Sequence, residues 1–206
     1  MLIMASFEES GLRFSFPENW WVRKFDESRF YNYVNGYGVK GVDFMIITPD
    51  KELILLEVKN YRTRFKAAKE HPTTQLLKGI TKFSKNLAHK FSDSILLIEA
   101  IHEYSRRRLW RRLLVNWWVD WLPKDLRLNS RSGFWNEAYH LLDSRHAHLM
   151  LWLEMDLSKS GGSRKVIDTK VQKIIDEDFP NLGFSIQYMG STRTKIQATP
   201  LTSEQN

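Results

Sequence analysis

Gly41-Val42-Asp43-Phe44-Met45-Ile46-Ile47 and Leu53-Ile54-Leu55-Leu56-Glu57-Val58-Lys59 are the stretches whose reading decides the fold. Each is a short apolar run of strand length, rich in β-branched and large apolar side chains. Thr48-Pro49-Asp50-Lys51 lies between them. Proline at the second turn position presets φ, and the aspartate offers a local side-chain hydrogen bond. The two runs therefore read as an antiparallel hairpin. In a strand, side chains i and i+2 share a face, so Glu57 and Lys59 point one way and Val58 the other. Leu53 to Leu56 is apolar without a break, which places its strand at the centre of a sheet. Polar groups ending such a strand are costly unless they serve each other or a ligand. Two readings follow: a solvated strand end with a surface ion pair worth under about 1 kcal/mol, or a chemical site.

Around the hairpin the chain alternates strand and helix signals. Ser6 to Gly11 reads as a turn or a helical start. Leu12 to Phe16 and Trp20 to Phe25 read as strands. Asp26 to Tyr31 mixes charges and aromatics without a period. After Lys59 the chain is polar and basic (Asn60 to Lys66), as expected of a loop leaving the sheet. Leu76, Leu77, Ile80, Phe83, Leu87 and Phe91 recur at helical spacing, predicting a helix over about residues 75–90. Asp93 is the expected N-cap of a second helix reaching about residue 114. Residues 117–121 are a candidate strand. A helix is expected over 133–144, a strand over 148–156, a helix over about 165–175 and a strand over 183–188. The polar tail beyond Thr192 is expected to fray.

The 206 residues suit a single domain, with its core over about residues 10–190 and a tail over 192–206. Hydrophobic residues make up 42% and charged ones 27%, the balance of a globular chain. With no cysteine, disulfides and thiolate metal sites are excluded, and a cytoplasmic location is expected. The first residues lack a signal peptide's basic region, and no apolar run reaches membrane-spanning length. A formal net charge of +7 favours an anionic partner, nucleic acid first. Most of the eight tryptophans are expected in the core or a dimer contact, so a homodimer stays open.

An Asp, a Glu and a Lys on adjoining strands are what a metal-dependent phosphodiesterase needs. Hard oxygen ligands bind Mg²⁺, which keeps several waters and a phosphate oxygen in its shell. The metal lowers the pKa of a water and offsets transition-state charge. The pattern Asp43 … Glu57-Val58-Lys59 on a hairpin followed by a helix resembles the PD-(D/E)XK nuclease superfamily. The resemblance covers about residues 40–90. It implies an α/β fold with a mixed central β-sheet flanked by helices, a restriction endonuclease-like core. It also implies Mg²⁺ (or Mn²⁺) as cofactor, with Asp43, Glu57 and the Val58 carbonyl as ligands and Lys59 near the attacking water. The motif's proline is absent, with Val42 before Asp43.

Members often add a polar residue from the helix after the third core strand, for which Gln75, one helical turn from Lys78, is the candidate. They also often add an acid from the first helix. Glu9 is nominated for that place, with Glu8, Asp26 and Glu27 as rivals. Arg62, Arg64, Lys66 and Lys78 are candidate nucleic-acid contacts, while the arginines between Arg106 and Arg112 read first as a solvated helix face. His146-X-His148 could share a strand face but has no third ligand nearby in sequence. Two functions remain open: a metal-dependent DNA nuclease, or an inactive nuclease-like module that binds nucleic acid or protein.

Overall fold

A computed structural model describes residues 5–61, 72–107, 128, 131–155, 161–191 and 194–201. The hairpin forms as expected from its residues. Strand β4 (Phe44–Ile47) pairs antiparallel with β5 (Leu53–Asn60), Phe44 opposite Leu56 and Ile47 opposite Leu53. The turn closes through Thr48 N to Glu52 O (2.9 Å) and Lys51 N to Thr48 O (3.1 Å), with Lys51 at φ 60°.

On one side β3 (Trp21–Lys24) pairs antiparallel with β4. On the other, β6 (Ala147–Glu154) and β7 (Gly183–Gln187) add in parallel, giving the order β3-β4-β5-β6-β7. A parallel neighbour requires a long crossover. The chain makes it with α2 (Pro72–Lys78), α3 (Ile80–Arg107) and α4 (Arg131–Asp143), and α5 (Gly161–Asp178) links β6 to β7.

Central β5 is buried on both faces, which is why its sequence reads as an unbroken apolar run. Leu53 and Leu55, with Met45, Ile47, Leu149, Leu151 and Leu153, pack against Leu87, Phe91 and Ile98 of α3, Phe134 of α4 and Ile167 and Val171 of α5. Ile54, Leu56 and Val58 face the other way, onto a second sheet. This sheet is formed by β1 (Ala5–Glu9), β2 (Leu12–Phe16) and β8 (Gln197–Pro200), in the order β1-β2-β8. Phe14 lies 5.6 Å from Phe44 and 5.3 Å from Trp152, ring centre to ring centre, edge-on or tilted. The fold is thus α/β, with a mixed central sheet covered by helices on one face and by a small antiparallel sheet on the other.

Several expectations change. Residues 6–9 are strand, not turn or helix. The turn is Ser10-Gly11, with both residues at positive φ (53° and 76°), the geometry that matches strand twist in a two-residue hairpin. Residues 26–31 lead into a short helix, α1 (Arg29–Val34). Asp93 caps nothing. It lies within α3, which runs unbroken because Leu87, Phe91, Ser94, Ile98 and Ile101 keep one buried stripe through it. The break comes earlier, at Gly79 between α2 and α3. The tail is ordered as far as β8, because Gln197 to Pro200 completes the edge of the small sheet. The strand expected over 117–121 lies outside the described residues. Among the described residues no helix is long and apolar enough to cross a membrane.

Candidate active site

The site lies where β5 outruns β4. Their ladder stops at Phe44 and Leu56, while β5 continues through Glu57 to Asn60. Odd-numbered amides of β5 face β6, as Leu53 N does to His146 O and Tyr61 N to Glu154 O, both at 2.8 Å. Even-numbered ones face β4, so the Val58 amide loses its ladder partner. The Asp43 carboxylate takes its place: Val58 N donates to Asp43 Oδ2 at 2.6 Å. A residue's N–H and C=O leave a strand on the same side, so the Val58 carbonyl also faces towards Asp43.

The approach to Asp43 is tightly held. A Cβ on Gly41 would fall 2.2 Å from the Phe25 ring, so only glycine allows the chain this close. Val42 N donates to Ser94 Oγ (2.9 Å) and Lys40 N to Asp93 Oδ2 (2.8 Å), tying the approach to α3. The Asp43 main chain bonds on both sides, accepting from Phe25 N (2.9 Å) and donating to Leu56 O (3.1 Å).

Glu57 projects to the helical face and is 0% exposed, so the solvated strand end is excluded. A buried carboxylate needs compensation. Two lysines supply it, and both bind the same oxygen. Lys59 Nζ donates to Glu57 Oε1, and Lys90 Nζ, reaching over from α3, donates to the same atom at 2.7 Å. Glu57 Oε2 has no partner, the one such buried side-chain polar atom among the described residues. Burial, and next the nearby Glu57, push the Asp43 carboxyl up to about 7, against the lowering effects of Lys90, the Val58 amide and Lys59. Burial alone would lower Lys90. The carboxylates of Glu57 and Asp43 outweigh it and hold the ammonium above its usual value.

Asp43, Glu57, Val58 and Lys59 are therefore brought together, and Lys90 joins them. Lys90 was missing from the sequence reading because its helical position marked it only as one residue beside the buried stripe. Its proximity to Glu57 depends on how α3 docks on the sheet. Gln75 and Lys78 lie exposed on α2, and no hydrogen bond among the described residues joins Gln75 to the acids. Arg62, Arg64 and Lys66 lie outside the described residues.

The nominated first-helix acids serve elsewhere. Glu8 and Glu9 are on β1, where Glu8 pairs with Arg13 (2.8 Å) and Glu9 with Lys24 (3.1 Å). Glu27 also approaches Lys24, at 3.7 Å, and the charge of Asp26 acts on that lysine too. Helix α1 contains no acid. His148 bonds Ser185 Oγ (2.7 Å) and His146 bonds Ser144 Oγ (3.1 Å), so the pair forms no metal site.

Among the described residues no three acidic or histidine side chains converge into a metal cage. What the site offers is two carboxylates, one of them with an unpartnered buried oxygen, and a strand carbonyl. That donor set is hard and incomplete, and it fits Mg²⁺ or Mn²⁺, because Mg²⁺ is usually held by one or two carboxylates with waters and substrate phosphate filling its shell. Together the fold and site define an α/β protein with a cluster of two acids and two lysines at the open end of a central hairpin. Comparison with protein families, with curated proteins and with solved structures finds no match to this chain.

Proposed function

We propose that this chain is a metal-dependent nuclease of the PD-(D/E)XK type that hydrolyses phosphodiester bonds in DNA. The observation carrying this reading is the convergence of Asp43 and Glu57 across the end of one antiparallel hairpin. Glu57 Oε2 lacks a partner there, and Lys59 stands two residues on. The order of parts agrees with the reading: the aspartate opens the second strand of the central sheet and Glu-Val-Lys ends the third. A net charge of +7 suits a polyanionic substrate.

Asp43, Glu57 and the Val58 carbonyl would hold the ion. When bound, it supplies an acidified water and a counter-charge for the phosphorane-like transition state. The chain's own groups do the rest. The Val58 amide fixes the Asp43 carboxylate. Lys59, with a side chain 34% exposed at the mouth of the site, donates a hydrogen bond to the incoming water or to a phosphate oxygen. Burial of Glu57 among apolar neighbours keeps bulk water from screening these charges.

A second reading is a nuclease-like module that binds nucleic acid or a protein without cutting. Its support is that both lysines already neutralise Glu57 and that no third acid joins the site among the described residues. Titration calorimetry with Mn²⁺ and incubation with plasmid DNA separate the two. The nuclease binds the ion and nicks the plasmid, and Glu57→Gln abolishes both. A protein that binds DNA in a salt-dependent way but gives no heat with Mn²⁺ and no cleavage supports the module.

A further inference from the structure

We propose that Lys90 is a positioning residue of the active site: from α3 it shares Glu57 Oε1 with Lys59, so that Lys59 can leave the carboxylate for water or phosphate without stripping Glu57 of its counter-ion. This inference rests on the reading of the site as a metal-dependent phosphodiesterase and deepens it.

Three observations carry it. First, Glu57 receives two ammonium groups on one oxygen while its other buried oxygen receives none. A buried glutamate needing only neutralisation would gain from having both oxygens partnered, since a buried acceptor without a partner is costly. Here both donors gather on one side, which leaves Oε2 uncommitted. Second, the two lysines are held differently. Lys59 ends a strand. Lys90 sits within a long helix beside the buried Phe91 and Leu87. Its carbonyl accepts from Ser94 Oγ (2.8 Å), and that same hydroxyl accepts from Val42 N, one residue before Asp43. One turn of α3, Lys90 to Ser94, thus braces Glu57 through a side chain and the approach to Asp43 through a hydroxyl. Third, the charges fit the substrate better with Lys90 than without. Two carboxylates and two ammonium groups cancel. A divalent cation then leaves two positive charges to meet the two negative charges of a phosphodiester at its transition state. Without Lys90 only one remains, and Lys59 is drawn onto Glu57 as its sole counter-ion.

The test is Lys90→Met, which keeps length and packing but removes the charge. Parent and variant are compared by Mn²⁺ calorimetry, by single-turnover plasmid cleavage at saturating Mn²⁺ and by thermal melting. Removing a cation beside the ion's site lowers the repulsion it meets, so Mn²⁺ is expected to bind the variant at least as tightly as the parent. Cleavage is expected to fall about a hundredfold, the scale of misplaced reacting groups, and Lys90→Arg is expected to recover part of it. Cleavage by Lys90→Met at the parental rate, or Mn²⁺ binding weaker than the parent's, overturns the role. Should Lys90→Met not fold, Lys90→Gln, which keeps a donor, is judged by the same two outcomes. A parent that neither binds Mn²⁺ nor cleaves overturns the phosphodiesterase reading itself, which separates that failure from failure of the Lys90 role alone.

Discussion

Two glutamates are buried near the ends of neighbouring parallel strands, and they are buried in opposite ways. Glu57 on β5 and Glu154 on β6 are 0% and 1% exposed. Among its bonds within the described residues, Glu154 takes two neutral donors on Oε1, Trp152 Nε1 at 3.0 Å and the Met189 amide, and it leaves no buried oxygen unpartnered. It joins β6 to the chain leaving β7, on the face that packs against the small sheet. Glu57 takes two cations on one oxygen and leaves the other bare. Burial is the same in both. What distinguishes a structural acid from a poised one is whether its hydrogen-bonding capacity is closed by the protein or left open beside charged side chains.

The largest expected effect is on cleavage. Glu57→Gln should lower the single-turnover rate about a thousandfold, the scale of losing a main electrostatic group. Glu154→Gln, which keeps an acceptor for both donors, should leave the rate near the parent's. Equal losses in both variants would erase the distinction.

Stability should divide the pair the other way. Glu154→Leu strands two donors, each costing about 1–3 kcal/mol when left buried. Chemical denaturation of the metal-free protein should show the sum. Glu57→Met should cost far less, because Lys59 and Lys90 are 34% and 24% exposed and can turn to water. A larger loss for Glu57→Met would mean that Glu57 is the structural acid.

Metal should sharpen the contrast. At about a hundred times its Kd, Mn²⁺ should stabilise the parent by about 2.7 kcal/mol. Glu154→Gln should keep this gain and Glu57→Gln should lose it, read as the shift in melting temperature on adding the ion.

The smallest effect concerns pH in the metal-free protein. Burial and the neighbouring Glu57 push the Asp43 carboxyl up to about 7 in the fold, from an ordinary value of 3.8, so between these values the folded state holds a proton that the unfolded chain has lost. Stability from this group is full below the unfolded value and is lost as pH rises through 7. Asp43→Asn removes that loss, so its melting temperature relative to the parent should climb between pH 5 and pH 8. A difference that stays flat with pH would mean that Asp43 is already ionised in the fold.

Much of the fold was legible because its signals are local. The apolar runs of β4 and β5, the Pro49-Asp50 turn and the alternation of Leu12 to Phe16 each report a strand or turn without reference to distant residues. The pairing of Asp43 with Glu57 was legible for the same reason, since a hairpin's register follows from its turn. An acid ending an apolar strand also describes Glu154, and only the lysine two residues on and the hairpin partner Asp43 set Glu57 apart in the sequence. Strands β1 and β8 were hidden because Ser6 to Glu9 has a single inward aromatic, Phe7, and Gln197 to Pro200 has no apolar period. The continuity of α3 was hidden because Asp93 resembles a cap, although its carboxylate bonds the Lys40 amide on another element.

By itself the sequence determined the hairpin, the sides to which Glu57, Val58 and Lys59 point, and the hard-oxygen character of the acid pair, because these depend on backbone periodicity and side-chain chemistry within one short segment. Only the tertiary structure decided that Glu57 is wholly buried, that Lys90 reaches it from α3, that both lysines share one oxygen and that Glu9, Asp26 and Glu27 gather around Lys24 instead. Those outcomes depend on how a helix and a second sheet dock on the hairpin. Docking is set by shape and burial summed over residues far apart in the chain.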